Sequence, residues 1–228
     1  MERPGPGGRD RWPRSYRRRQ GNLTRRQRRA LAEHWERFGV ELPFGVRHSV
    51  AHLFGRQAPC TLELGFGFGE VLLARAASEP ERDFLGVEVH KPAVGHVLAE
   101  IAERGLTNVL LVRADGLRLM NEHLEPGGVD QVCVLHPDPF PRPTEADKRL
   151  VRPLLLELLA LHLPAGGSFH LATDAPEYGA HAEAVFAGDA RFALEAVGER
   201  PAWRVPSRYE RKGLEVDNPS VDWRWVRR

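Results

Sequence analysis

Cysteine, lysine and long apolar runs are all scarce in this 228-residue sequence. Two cysteines, Cys60 and Cys133, supply neither a disulfide framework nor a cysteine-built metal cage. Both fall in apolar runs that read as buried strands, so packed free thiols in a reducing, cytoplasmic compartment are expected. The most apolar segment, Leu154 to Leu163, is too short to cross a bilayer and carries Glu157 and His162, which argues against a membrane protein. No basic start runs into an apolar stretch, so no secretory signal is expected. His48 and His52 have the spacing of a metal-binding helix face. They lack an intervening glutamate or a third ligand, and no metal is expected.

With three lysines against 30 arginines, positive charge is almost all guanidinium, and it is unevenly spread. The formal net charge is only +2, yet residues 1–29 hold 11 arginines against two acids, and the rest hold 22 basic against 29 acidic side chains. The stretch "RSYRRRQGNLTRRQRR" is the electrostatic footprint of a polyanion partner. Its Gly-, Pro- and Arg-rich surroundings, residues 1–22, read as a basic, disordered arm.

A structured segment begins at Thr24, which has Gln27 three positions on, as in a capping box, and Gly39 closes the helix. Leu31, Trp35 and Phe38 share one face and Arg25, Arg28 and Arg29 the other. A helical segment over 23–58 should therefore dock by its aromatic side and leave arginine outward. Over 59–228, strands at Thr61–Leu64, Phe84–Val89, Val109–Arg113, Val129–Leu135 and Ser168–Thr173 alternate with helical patterns at 70–78, 92–104, 116–124, 146–163 and 176–187. Pro153 should distort or restart the fourth helix. Such alternation specifies an α/β, doubly wound, mostly parallel sheet. Two late strands, Phe192–Val197 and Val221–Val226, with no helix read between them, would complete seven strands with an antiparallel edge. Trp223 and Trp225 alternate on the last of these and read as packed rather than base-stacking.

The segment "LELGFGFGE" follows the first strand, where an open α/β sheet binds its ligand. Gly65, Gly67 and Gly69 allow close backbone approach. The dinucleotide pattern requires glycine where Glu70 stands, and an acid there serves a pyrophosphate poorly, which disfavours a dehydrogenase. Glu63 precedes the glycines, and Glu88, Asp115 and Asp138 end the next three strands. A carboxylate at Glu88 can accept ribose hydroxyls, one at Asp115 an adenine amino group, and several together suit a cationic ligand. S-adenosylmethionine, with its sulfonium and ammonium, is the cofactor this pattern indicates. Pro137 and Pro139 fix the backbone on either side of Asp138. Phe140 could face a planar base or simply pack.

Over nearly its whole length the chain resembles the bacterial tRNA (guanine-N7)-methyltransferases. The resemblance is carried by "RSYRRRQGNLTRRQ", "LELGFGFGE", "FLGVEVHKPAVG", "GLTNVLLVRAD", "HPDPFP", "FHLATD" and "SRYERKG". It implies a Rossmann-like methyltransferase that modifies N7 of a guanosine in the tRNA variable loop, position 46. It also implies Glu63, Glu88, Asp115 and Asp138 as cofactor contacts, Asp138 as the catalytic residue, and Arg142, Asp174, Ser207, Arg208, Tyr209 and Glu210 as substrate contacts. The partners implied are tRNA and, for the protein itself, a monomeric or homodimeric state. The chain departs from the family after Pro-Asp-Pro. Phe140 replaces Trp, His136 stands where Phe is common, and "RPTEAD" interrupts a basic cluster of which Arg142, Lys148 and Arg149 remain. Two alternatives stay open: a methyltransferase with another acceptor, and a catalytically silent RNA-binding protein.

Overall fold

The structure is a computed structural model that describes residues 15–16 and 21–228; the rest of the basic arm lies outside the described residues. Seven strands, β1 (Cys60–Leu64), β2 (Asp83–Val87), β3 (Val109–Val112), β4 (Gln131–Leu135), β5 (Ser168–Thr173), β6 (Phe192–Gly198) and β7 (Val221–Arg227), form one sheet. Their spatial order is β3-β2-β1-β4-β5-β7-β6. The first five run parallel, and β7 is antiparallel to both β5 and β6. The helices are α1 (Arg25–Phe38), α2 (Val50–Phe54), α3 (Glu70–Ser78), α4 (Lys91–Arg104), α5 (Gly116–Arg118), α6 (Pro153–His162), α7 (Pro176–Ala187) and α8 (Arg208–Leu214). The seven-stranded, mostly parallel sheet with its antiparallel edge is the expected architecture.

β1, β2 and β5 are buried at every position because apolar layers cover both faces, which is why they read as continuous apolar runs. One core layer gathers Leu62, Val132, Leu155, Leu159 and Phe169; the other gathers Leu72, Phe84, Val97 and Leu111. α1 begins with the expected capping box. Gln27 N–H donates to Thr24 Oγ1 at 3.2 Å, and Thr24 N–H donates to Gln27 Oε1 at 2.8 Å. Its Ala30 and Phe38, with Leu31 and Trp35, pack into the second layer with Val94, Val97 and Leu98 of α4. Arg26 fastens the pair through Glu100 and Glu103 at 2.8 and 2.7 Å, while Arg25, Arg28 and Arg29 stay exposed. Trp225 stacks on Phe186 with ring centroids 4.2 Å apart, and Trp223 Nε1–H donates to Glu183, so both tryptophans are packed.

Three expectations need correction. The helix read at 146–163 is a 3-10 turn over Pro143–Lys148 and then α6, which restarts at Pro153 because proline has no N–H to continue a ladder. The helix read at 116–124 is α5 followed by a π-helical turn over Leu119–His123. A helix, α8, does stand between β6 and β7. Ser207 caps it through Glu210, a Ser-x-x-Glu capping box that is plain in the sequence.

β2 and β4 flank β1, so connections from the ends of β1 and β4 diverge and open a crevice beyond their carboxyl ends. Among the described residues no helix is long and apolar enough to cross a membrane, and no group of three or more potential metal ligands occurs.

Candidate active site

The crevice is a cavity of about 540 Å³ lined by residues from four strand ends, among them Glu63, Glu88, Asp115 and Asp138. The glycine turn forms its floor. Gly65, Gly67 and Gly69 have φ of 81°, 56° and 75°, in the left-handed region that favours glycine. A Cβ on Gly69 would lie 2.6 Å from Val97, whereas a Cβ on Gly65 or Gly67 would meet no protein atom within 4 Å. Gly69 thus serves helix packing, and the other two leave room for a ligand.

The four acids differ in setting. Glu63, on β1, is 4% exposed; burial pushes its carboxyl up to about 8, with Arg75 pulling the other way. Among the described residues, Glu88 is held by backbone N–H groups. Oε2 accepts from Gly67 N–H at 3.1 Å, and Oε1 accepts from Val89 and His90 N–H at 2.7 and 2.9 Å. That grip ties the end of β2 to the glycine turn and fixes the carboxylate at the cavity wall. Asp115 caps α5 through Oδ1, and its Oδ2 accepts from Ser15 of the arm at 3.5 Å. Asp138 lies on the loop after β4, between the two prolines, and lines the cavity.

Arginine holds this loop from behind. Arg149 is buried and donates to the carbonyls of Pro139, Phe140 and Glu177 at 3.1, 3.3 and 3.4 Å. Phe140 is 3% exposed and packs into the interior, so it offers no face to a base. Of the three basic residues left in the altered cluster, Arg149 points inward, Lys148 pairs with Glu145 at 3.3 Å, and Arg142 is exposed.

α8 closes the other side. Ser207 lines the cavity, Arg208 lies over the Phe68 ring at 5.9 Å, and Arg211 reaches Glu70 at 3.6 Å. Glu70, which replaces the third glycine of the dinucleotide pattern, thus joins the glycine turn to α8. Glu210 faces inward: it pairs with Arg204 at 2.6 Å and Arg200 at 3.0 Å and completes the cap on Ser207. The Tyr209 side chain lies outside those described. Asp174, after β5, does not line the main cavity. With Pro176, Pro219 and Trp223 it lines a smaller one of about 250 Å³.

Nothing in the sequence alone marks Arg204 as a functional residue. Wholly buried, it bonds Asp222 through Nε and Nη2 at 2.8 and 2.6 Å as well as Glu210, and Asp222 also takes His170 Nε2 at 2.7 Å. Against the burial that would raise it, hydrogen bonds from His170 and Arg204 hold the Asp222 carboxyl below its usual range. The visible signal was an arginine three residues before the Ser-x-x-Glu box, but only tertiary structure supplies its partners.

A glycine turn and converging acids at this switch point define a Rossmann-like methyltransferase, and residues 57–222 match the model of a family described as putative methyltransferase. The solved 16S rRNA methyltransferase KamB superposes with a TM-score of 0.61 at 18% identity, covering 83% of this chain and 100% of that one. TrmN from Thermus thermophilus gives 0.54 at 18%, over 78% of this chain and 47% of that one; at such identities the likeness is one of fold. Sequence relatives are more specific. A tRNA (guanine-N(7)-)-methyltransferase from Halorhodospira halophila is 41% identical over 206 residues, 88% of this chain and 89% of that one. Its counterpart from Leifsonia xyli subsp. xyli is 43% identical over 216 residues, 92% and 93% of the two chains. The chain belongs to the tRNA (guanine-N(7)-)-methyltransferase family.

Proposed function

We propose that this protein transfers a methyl group from S-adenosylmethionine to N7 of a guanosine in the tRNA variable loop, a cytoplasmic reaction. The observation that carries the reading is the convergence of Glu63, Glu88, Asp115 and Asp138 on one cavity beside two glycines whose missing side chains leave ligand space. The donor set fits that cofactor: carboxyl groups would meet its ammonium, ribose hydroxyls and adenine amino group, Glu63 accepting through its carbonyl oxygen while protonated, and no phosphate-binding cluster of N–H groups is needed. Glu63, Glu88 and Asp115 would hold it. When bound, it supplies an electrophilic methyl on a positively charged sulfur.

The protein's own task is orientation. N7 of guanine carries an in-plane lone pair and no proton, so no general base is required to expose it. The barrier falls by holding the ring at near-attack distance and in line. Asp138, fixed by two prolines and by Arg149 behind its loop, is the catalytic residue, and it orients the reacting base. Asp174 accepts hydrogen bonds from the N1–H and amino edge, which only guanine presents as adjacent donors. Glu210 supports this as the anchor of α8, with Ser207 at the cavity rim. N7 is hard to reach within a stacked helix, so the base must be presented out of its stack. Arg142, Arg208 and the exposed arginines of α1 supply backbone contacts to the RNA. The test is incubation with S-adenosylmethionine and unmodified tRNA followed by nucleoside mass spectrometry. Appearance of 7-methylguanosine is expected; cofactor binding with no methylated nucleoside would sink the tRNA assignment.

A further inference from the structure

His136 occupies an unusual place. It follows β4 with φ of 52°, a left-handed conformation that histidine adopts more readily than most side chains. It lines the main cavity two residues before Asp138, and its imidazole is only 5% exposed. Nδ1 lies 3.8 Å from Asp174 Oδ1, and Nε2 lies 3.5 Å from Ser220 Oγ at the entrance to β7. Asn218 Nδ2–H donates to the other Asp174 oxygen at 3.4 Å. At 3.8 Å the Nδ1 contact lies beyond hydrogen-bond reach and becomes an ion pair once the ring is protonated, while Nε2 stands within reach of the Ser220 hydroxyl.

We propose that His136 is a positioning residue that registers Asp174, which opens on the smaller cavity, against Asp138 in the larger one. The inference rests on the reading of Asp174 as the acceptor for the guanine edge. While the ring is neutral, it packs beside the Asp174 carboxylate and leaves its lone pairs to the base. Once protonated, the imidazolium pairs with Asp174 and competes with guanine. The charged groups around the ring are Arg204 before α8, Glu210 on α8, Asp174 after β5 and Asp222 on β7. Burial, then Arg204, holds the imidazole below the usual histidine range, while the three acids oppose them. The ring therefore stays neutral further into acid than an ordinary histidine, and transfer should weaken only below the ordinary histidine range.

The test compares His136→Phe, His136→Asn and Asp174→Asn for steady-state methylation of tRNA across pH, with cofactor affinity measured by calorimetry. His136→Phe loses the contact with Ser220 and should lower kcat/KM for tRNA about fivefold at about pH 8, the worth of one neutral hydrogen bond. Cofactor Kd should stay within about twofold, and His136→Phe should add nothing to the loss in Asp174→Asn. Asparagine also accepts the left-handed backbone and does not titrate, so His136→Asn should keep most activity and lose the acid limb. Wild-type kcat/KM and an intact acid limb in His136→Phe would overturn the proposal, as would losses that multiply with those of Asp174→Asn. Wild-type turnover in Asp174→Asn would instead overturn the role given to Asp174 itself.

Discussion

At the scale of single residues, the site separates groups that hold from groups that act. Asp138 cannot drift, because proline stands on both sides and Arg149 clamps the carbonyls that follow. Asp138→Asn should therefore leave cofactor Kd unchanged and cut kcat by about a hundredfold, the usual penalty for a misaligned reacting pair. Single-turnover methylation measures it, and unchanged turnover would remove Asp138 from the chemistry. Glu63 makes a different prediction, on stability. The folded protein retains its proton up to about pH 8, whereas the ordinary value is 4.5. The folded state thus binds more protons than the unfolded chain across that window, and stability is lost as pH rises through it. Glu63→Gln should be relatively more stable than wild type at pH 8 than at pH 5, with the difference in thermal midpoint widening between them. A difference that does not vary with pH would mean that Glu63 is already ionised in the folded protein.

At the scale of elements, what was legible in the sequence follows from whether the signal was local. Strands buried on both faces announce themselves as apolar runs, and the Thr24–Gln27 box announced α1. α8 carries an equally local signal in Ser207 and Glu210, but the same residues also fit a substrate motif, so the cap competes with a second reading. The inward turn of Arg149 and the burial of Arg204 could not be read, because a guanidinium shows its partners only once distant segments meet. Arg204 has the larger consequence. It bridges Glu210 on α8 to Asp222 on β7, and removing it leaves these two buried carboxylates to Arg200 and His170 alone. Arg204→Met should cost about 3–5 kcal/mol. In a domain of this size that lowers the thermal midpoint by about 10 °C. Lysine keeps the charge but not the fork, so Arg204→Lys should recover only part of the loss. Calorimetric midpoints check both variants, and an unchanged midpoint in Arg204→Met would mean that the network adds nothing to stability.

For the molecule as a whole, charge is divided between two tasks that face different ligands. Acids gather at the carboxyl ends of the strands, where a cationic cofactor is proposed, while arginine crowds the beginning of the chain and the outer face of α1. Within 142–149, Lys148 is paired to Glu145 and Arg149 is turned inward. On the proposed reading, the N-terminal arginines would then carry more of the grip on RNA. The sequence foretold the division because charge counts need no structure, but not that Arg26 would be spent on Glu100 and Glu103. Of the α1 arginines, Arg29 also engages a carboxylate, that of Glu33, whereas Arg25 and Arg28 are exposed and Arg28 bonds a nearby carbonyl. Neutralising Arg25 and Arg28 to glutamine should therefore weaken tRNA binding without touching cofactor binding. A protein that neutralises fewer phosphates displaces fewer counterions on binding, so the slope of log affinity against log salt should become shallower by about one to two units. Filter binding of tRNA over a salt series measures that slope. The wild-type slope in the double variant would place the phosphate-gripping groups elsewhere than on α1, and would mean that α1 serves the fold alone.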